Sequence, residues 1–136
     1  MREIKFRIWH KVRRKMFPVT GLEWGPKGLV YILYPHTGAF GNSYRVEPFA
    51  AELIQYTGLH DKDGVEIYEG DIIEYDWLDE RVKGEVKLGK FNVEGGANTY
   101  PLIYGFYVAA ESLYDIENVV RVGNIFENPE LLEDTN

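Results

Sequence analysis

Side chains alternate between apolar and polar at every second residue through most of this chain, and apolar stripes at helical spacing are nearly absent. A two-residue period puts successive side chains on opposite faces of a strand, so the pattern commits the chain to half-buried sheet. Ile4, Phe6 and Ile8 share one face of a first strand, with Lys5 and Arg7 on the other. The polar run His10 to Lys15 reads as a turn, and Met16 to Thr20 as a return strand. Pro18 has no N–H for a ladder, which places that strand at a sheet edge. Gly21, Gly25, Pro26 and Gly28 read as a loop before a strand over Leu29 to Tyr34, and residues 35–43 as another loop.

Residues 46–57 carry two signals. Pro48 suits a first helical turn and Ala50-Ala-Glu-Leu53 favours helix, whereas Leu53 to Thr57 is β-rich and stops at Gly58. The reading is a short helical turn leading into a strand. Asp63-Gly64 is a tight-turn dipeptide, and Glu69-Gly70-Asp71 marks a second turn. Ile73, Tyr75 and Trp77 then share a face opposite Glu74 and Asp76, and the chain reverses near Asp79-Glu80. On the return strand Val82, Val86 and Leu88 oppose Arg81, Lys83, Glu85 and Lys87, so that Glu74 and Asp76 face Lys83 or Lys87 across the hairpin. Gly95 to Asn98 is a break, and Leu102, Tyr104, Phe106 and Val108 alternate as a strand. Ser112 to Asp115 fits the cap of a short helical turn. Val119 to Phe126 is a last strand with Gly123 as a bulge, and Asn128-Pro129-Glu130 opens a brief helix with Asn128 as its N-cap. The expected fold is mainly β: a small pseudo-barrel of about eight short antiparallel strands capped by one or two short helices.

The 136 residues suit one domain, 1–136, with a core of its own. The chain has no cysteine, which excludes disulfides and cysteine-ligated zinc. Twenty aromatic residues argue against a disordered chain. No apolar run approaches a membrane span and the N-terminus lacks a signal-peptide pattern, so a cytoplasmic protein away from membranes is expected.

Three segments carry a family resemblance. They are Leu53-Ile-Gln-Tyr-Thr-Gly-Leu-His-Asp-Lys-Asp-Gly-Val-Glu-Ile-Tyr-Glu-Gly-Asp-Ile-Ile73, Val122-Gly-Asn-Ile-Phe-Glu-Asn-Pro-Glu-Leu-Leu132 and the opening Arg2-Glu-Ile-Lys-Phe-Arg-Ile-Trp9. Together they resemble the YopX family of phage and prophage proteins, whereas residues 19–50 and 79–101 match no pattern of it. The resemblance implies a mostly β pseudo-barrel capped by helix, in a bacterial cytosol during phage carriage. It carries no activity and transfers no catalytic residue. His10 stands where the family tends to have an acidic turn residue, which makes the N-terminal hairpin more basic.

Catalytic and metal motifs fail on their own terms. Gly84-Glu-Val-Lys-Leu-Gly-Lys90 nearly spells a phosphate-binding loop, but Phe91 stands where Ser or Thr is required and the segment alternates as strand. Asp61-Lys-Asp63-Gly64 resembles a calcium loop, yet the first and twelfth positions would be Leu59 and Gly70, which offer no side-chain ligand. His10, His36 and His60 show no metal spacing, although His60 beside Asp61 suits a site assembled across the fold. Ser43 and Ser112 lie in no nucleophile elbow. No catalytic residue, metal or cofactor is therefore expected.

Charge is uneven. Residues 1–20 hold seven Lys or Arg against one Glu, while the whole chain is at −7. The leading expectation is a non-enzymatic accessory domain that binds a protein partner or itself, assembling head-to-tail through that complement. A second is nucleic-acid binding by Arg13, Arg14 and Lys15, with Trp9 and Phe17 as stacking surfaces, against which the net negative charge weighs. A third is a carboxylate-based hydrolase. The tyrosines are expected to pack the sheets.

Overall fold

A computed structural model describes residues 3–35, 43–92, 102–109, 111–113 and 115–133. The loop expected at 35–43, His36, and the break at Gly95–Asn98 fall wholly or mostly outside these residues. The chain divides into two compact units, Met1–Tyr56 and Thr57–Asn136.

In the first unit β1 (Phe6–His10) turns through residues 11–14 into β2 (Lys15–Pro18), with His10 opposite Lys15. The other side of β1 pairs antiparallel with the start of β6 (Ala51–His60), from Phe6 opposite Gln55 to His10 opposite Ala51. β2 is thus an edge strand, as Pro18 requires. Ile8 lies in the core, but Ile4 precedes the strand and is exposed. A second sheet holds β3 (Gly21–Gly25), β4 (Gly28–Pro35) and β5 (Ser43–Val46) in that order. The glycines read as a loop bracket a strand instead. A Cβ on Gly21 would lie 3.0 Å from Leu33 Cδ1, and one on Gly25 2.8 Å from Val30 Cγ2. Close cross-strand packing, not turning, explains those two, and Gly28 at φ +122° makes the turn. A 3₁₀ turn at Pro48–Ala50 leads into β6, as expected, though the strand runs on past Gly58 to His60. The core joins Ile8, Ile32, Tyr34, Val46 and Ala51.

In the second unit the end of β6 adjoins β7 (Glu66–Tyr68) across the Asp63-Gly64 turn, with Gly64 at φ +85°. β8 (Asp71–Trp77) lies between β9 (Glu80–Glu85) and β13 (Glu117–Asn124). Leu78 and Asp79 form the β8–β9 turn, one residue earlier than expected, since Trp77 pairs with Glu80. Glu74 does face Lys83 in register, but Asp76 pairs with Arg81 at 3.0 Å. Lys83 Nζ donates to Leu131 O at 3.2 Å, and Lys87 belongs to the next strand opposite Tyr107. That next strand, β10 (Lys87–Asn92), pairs with β11 (Leu102–Val108), and β11 with β12 (Glu111–Ser112). Ser112 therefore lies in a strand rather than capping a helical turn; Leu113 N bonds Phe106 O at 3.1 Å. Val86 separates β9 from β10 by a single residue.

β13 shifts register twice, before Val120 and before Gly123, so the bulge at Gly123 is joined by one around Asn118 at φ +54°. A short helix, α1 (Glu130–Glu133), follows. The Asn128 side chain accepts from Asn124 N at 3.3 Å, while its backbone oxygen receives Leu131 N at 3.1 Å. The core joins Ile67, Ile73, Tyr75, Val86, Phe106, Val108 and Leu113. The fold is mainly β and antiparallel, with a small helical cap. Thirteen strands among the described residues replace the expected eight, because β3, β5, β7 and β12 escaped the alternation and Val86 divides one expected strand into β9 and β10. Among the described residues no helix is long and apolar enough to cross a membrane.

Candidate functional site

The β1–β2 turn is a four-residue loop in which Arg14 N donates to His10 O at 2.7 Å and Arg14 takes φ +54°. Its first support is His10, whose Nδ1 accepts the Arg13 N–H at 3.1 Å. Burial of the ring, then the neighbouring Arg13 charge, lowers the His10 pKa, so the imidazole is held neutral and available as that acceptor. The ring meets Tyr34 edge-on at 5.5 Å and Phe17 at 6.2 Å. Phe17 and Tyr34 are 4.8 Å apart, and Tyr34 and Tyr44 5.5 Å.

The loop cations lie over this aromatic floor. The Arg13 guanidinium is 4.7 Å from the Tyr44 ring centre and 5.8 Å from that of Tyr34, and Arg14 is 5.9 Å from Trp9. Each such contact is worth ~0.5–1 kcal/mol at an exposed site, enough to bias two flexible side chains toward one posture. Lys11 Nζ instead reaches Glu52 Oε1 at 3.5 Å and Phe49 O at 3.1 Å. Residues 11–15 are all exposed. Among the described residues neither Arg13, Arg14 nor Lys15 is in an ion pair with a carboxylate. Two exposed apolar side chains, Val12 at 79% and Phe49 at 76%, stand beside the charges.

Arg13, Arg14 and Lys15 lie together and exposed in the turn, but the rings expected to stack beside them are not open. Trp9 is buried at 9% exposure and Phe17 packs on the core, so neither is an open stacking surface. Tyr34 and Tyr44 do the positioning from β4 and β5, and no local spacing links them to Arg13. The tyrosines otherwise pack as expected: Tyr34, Tyr56, Tyr68 and Tyr75 are buried.

Two acidic residues of the second unit, Asp61 and Asp71, are bound into architecture. Asp61 Oδ1 accepts from Asp63 N and Val65 N, and its Oδ2 from Arg121 N, each at 2.9 Å. Burial raises its pKa, but those three backbone bonds and the Arg121 charge outweigh that and hold the carboxyl below its usual range. Asp71, fully buried, accepts Tyr68 N at 2.8 Å, with Arg121 Nε at 3.1 Å in ion-pair range though not in hydrogen-bond alignment. Asn124 Oδ1 accepts Phe126 N and Glu127 N at 3.0 and 2.8 Å. His60 is exposed on the lining of a cleft of about 210 Å³ whose other lining residues are the apolar Leu59, Ile67, Leu113, Ile116 and Val119. Among the described residues no three of His, Cys, Asp or Glu gather closely enough to hold a metal ion. Gly84 to Lys90 runs through β9 and β10 and opens no helix. Ser43 Oγ lies 2.8 Å from Thr20 Oγ1.

The pattern of the YopX family, described as YopX protein, matches residues 5–133. The chain belongs to the YopX family. Among solved structures it is similar to the crystal structure of protein EF1440 from Enterococcus faecalis, with 27% identity, a TM-score of 0.62, and coverage of 97% of this chain and 99% of that one. No curated protein matches it. The YopX-like segment from Leu53 to Ile73 contains Thr57, Asp61 and Asp71, and the one from Val122 to Leu132 contains Asn124 and Asn128. Every one of these side chains bonds backbone. In this YopX-family chain the segments that carry the family signature build turns and bulges, and the exposed cations lie in the loop just after the opening one.

Proposed function

We propose that this YopX-family chain is a non-catalytic binding domain that uses the β1–β2 loop to recognise an acidic protein surface. The observation that carries this reading is the partition of charge. The unit Met1–Tyr56 holds nine Lys or Arg against four acidic residues, a balance of +5, and Thr57–Asn136 holds six against eighteen, a balance of −12. Within the basic unit Arg13, Arg14 and Lys15 are exposed beside Val12 and Phe49, which combines charge steering with apolar contact area. The three backbone bonds accepted by Asp61 support a non-enzymatic role, since a carboxylate so engaged is a poor general base. We propose as its setting a bacterial cytosol during phage or prophage carriage, which the family resemblance supports.

Nucleic acid is the competing polyanion. It is disfavoured by the net charge of −7 and because Trp9 is buried and the Tyr34 and Tyr44 faces carry a guanidinium, which leaves Phe49 as the exposed ring beside these cations. Fluorescence anisotropy with a labelled poly-glutamate peptide and a single-stranded DNA of matched charge separates the two. The expected result is salt-sensitive binding that favours the peptide and weakens about tenfold or more in R13E/R14E. Tighter binding to the DNA, or peptide binding unchanged in R13E/R14E, overturns the reading.

A further inference from the structure

We infer that the acidic surface is carried by a second copy of this chain, whose β8–β9 turn docks on the β1–β2 loop to give a head-to-tail assembly. This rests on the binding role proposed above and names its partner. The β8–β9 turn is built as the complement of the basic loop. It presents Leu78 at 82% exposure and Trp77 at 37%, flanked by exposed Asp79 and Glu80. Among the described residues neither of those two acids is in an ion pair, whereas Asp76 one step further down the hairpin is matched to Arg81 and Asn118.

Leu78 is out of place for a turn that served only the hairpin. It takes φ +55°, a left-handed conformation that glycine or asparagine adopts at lower cost, and it holds an isobutyl group in water. Local structure explains neither choice. An apolar contact supplied from outside explains both. The basic loop offers the matching chemistry: exposed Val12 among the exposed cations Arg13, Arg14 and Lys15, with exposed Phe49 nearby. Phe49 is tied to that loop by the bond from Lys11 Nζ to its carbonyl.

Like charges oppose any contact that sets the basic loop on itself or the acidic turn on itself, so each contact pairs a loop with a turn. Basic loop against acidic turn is a heterologous contact, which leaves one free end of each kind on every added copy. Such a contact closes into a ring if the rotation permits and otherwise extends.

Analytical ultracentrifugation over a concentration series at low and high salt tests this on the full chain. Wild type is expected to associate at low salt and dissociate at high salt, and R13E/R14E and D79K/E80K are each expected to stay monomeric. An equimolar mixture of those two variants pairs native loop with native turn and reversed loop with reversed turn, and is expected to associate although neither variant does so alone. The four-substitution variant R13E/R14E/D79K/E80K, with both signs exchanged, is expected to associate again. Leu78→Gly is expected to weaken wild-type association about tenfold without changing its salt dependence. Circular dichroism of each variant establishes that it is folded. If wild type binds the poly-glutamate peptide through Arg13 and Arg14 but remains monomeric at low salt, self-docking is overturned and the broader binding role stands. Association unaffected in D79K/E80K overturns the assignment of the turn. No peptide binding and no association together overturn both.

Discussion

Asp61 shows how a single carboxyl can look like a ligand in sequence and prove to be a fastener. Its two oxygens tie Asp63 and Val65 in the β6–β7 turn to Arg121 in β13, sixty residues away in the chain. An amide in its place offers one acceptor oxygen, so Asp61→Asn leaves a buried N–H unmatched and is expected to cost ~1–3 kcal/mol at neutral pH. Because the folded carboxyl titrates below the unfolded one, the unfolded chain takes up its proton first as pH falls. Wild-type stability from this group is therefore complete above the ordinary Asp range near pH 4 and is lost as pH drops through the lower folded value. The asparagine variant lacks that loss, so the gap between the two proteins should narrow in acid. Urea melts at neutral pH and near pH 3 check the sign, and a gap that widens in acid contradicts it.

At the scale of elements, hairpins carry the structure, and the β8–β9 hairpin has a built-in strain. Replacing Leu78 by glycine removes the left-handed penalty at the turn, and the hairpin is expected to gain about 0.5–1 kcal/mol, read from chemical denaturation of the monomer at high salt. The same elements show which parts of the fold were readable from residues alone. A strand such as β8 was legible because neighbouring faces differ in polarity, and Pro18 announced an edge because a missing donor is a local fact. β3 was not legible. Gly21 and Gly25 have the composition of a loop, and only the position of Leu33 and Val30 across the sheet reveals that they are cut small to fit. The candidate site divided the same way: Arg13, Arg14 and Lys15 stand out as a run, but Tyr34 and Tyr44 reach Arg13 through pairing of β4 with β5, which no short-range spacing encodes. His10 looked like a turn residue and is the buried acceptor on which the turn is built.

For the whole molecule, the two units share one strand. β6 contributes Ala51, Ile54 and Tyr56 to the first unit and begins the second with Thr57, whose hydroxyl donates to Ile67 O at 2.7 Å and accepts Leu59 N at 3.1 Å. Melting either unit alone would fray a strand that the other still requires. Ile32→Ala in the first core and Ile73→Ala in the second are each expected to cost ~2–5 kcal/mol and to lower one common calorimetric transition. A thermogram that splits into two peaks shows that the units unfold independently. The imino acid at residue 18 has a larger meaning at this scale. With no amide hydrogen to offer on the edge strand, it denies an incoming chain continuous zippering beside the cationic loop and so disfavours cross-β fibre growth along that edge.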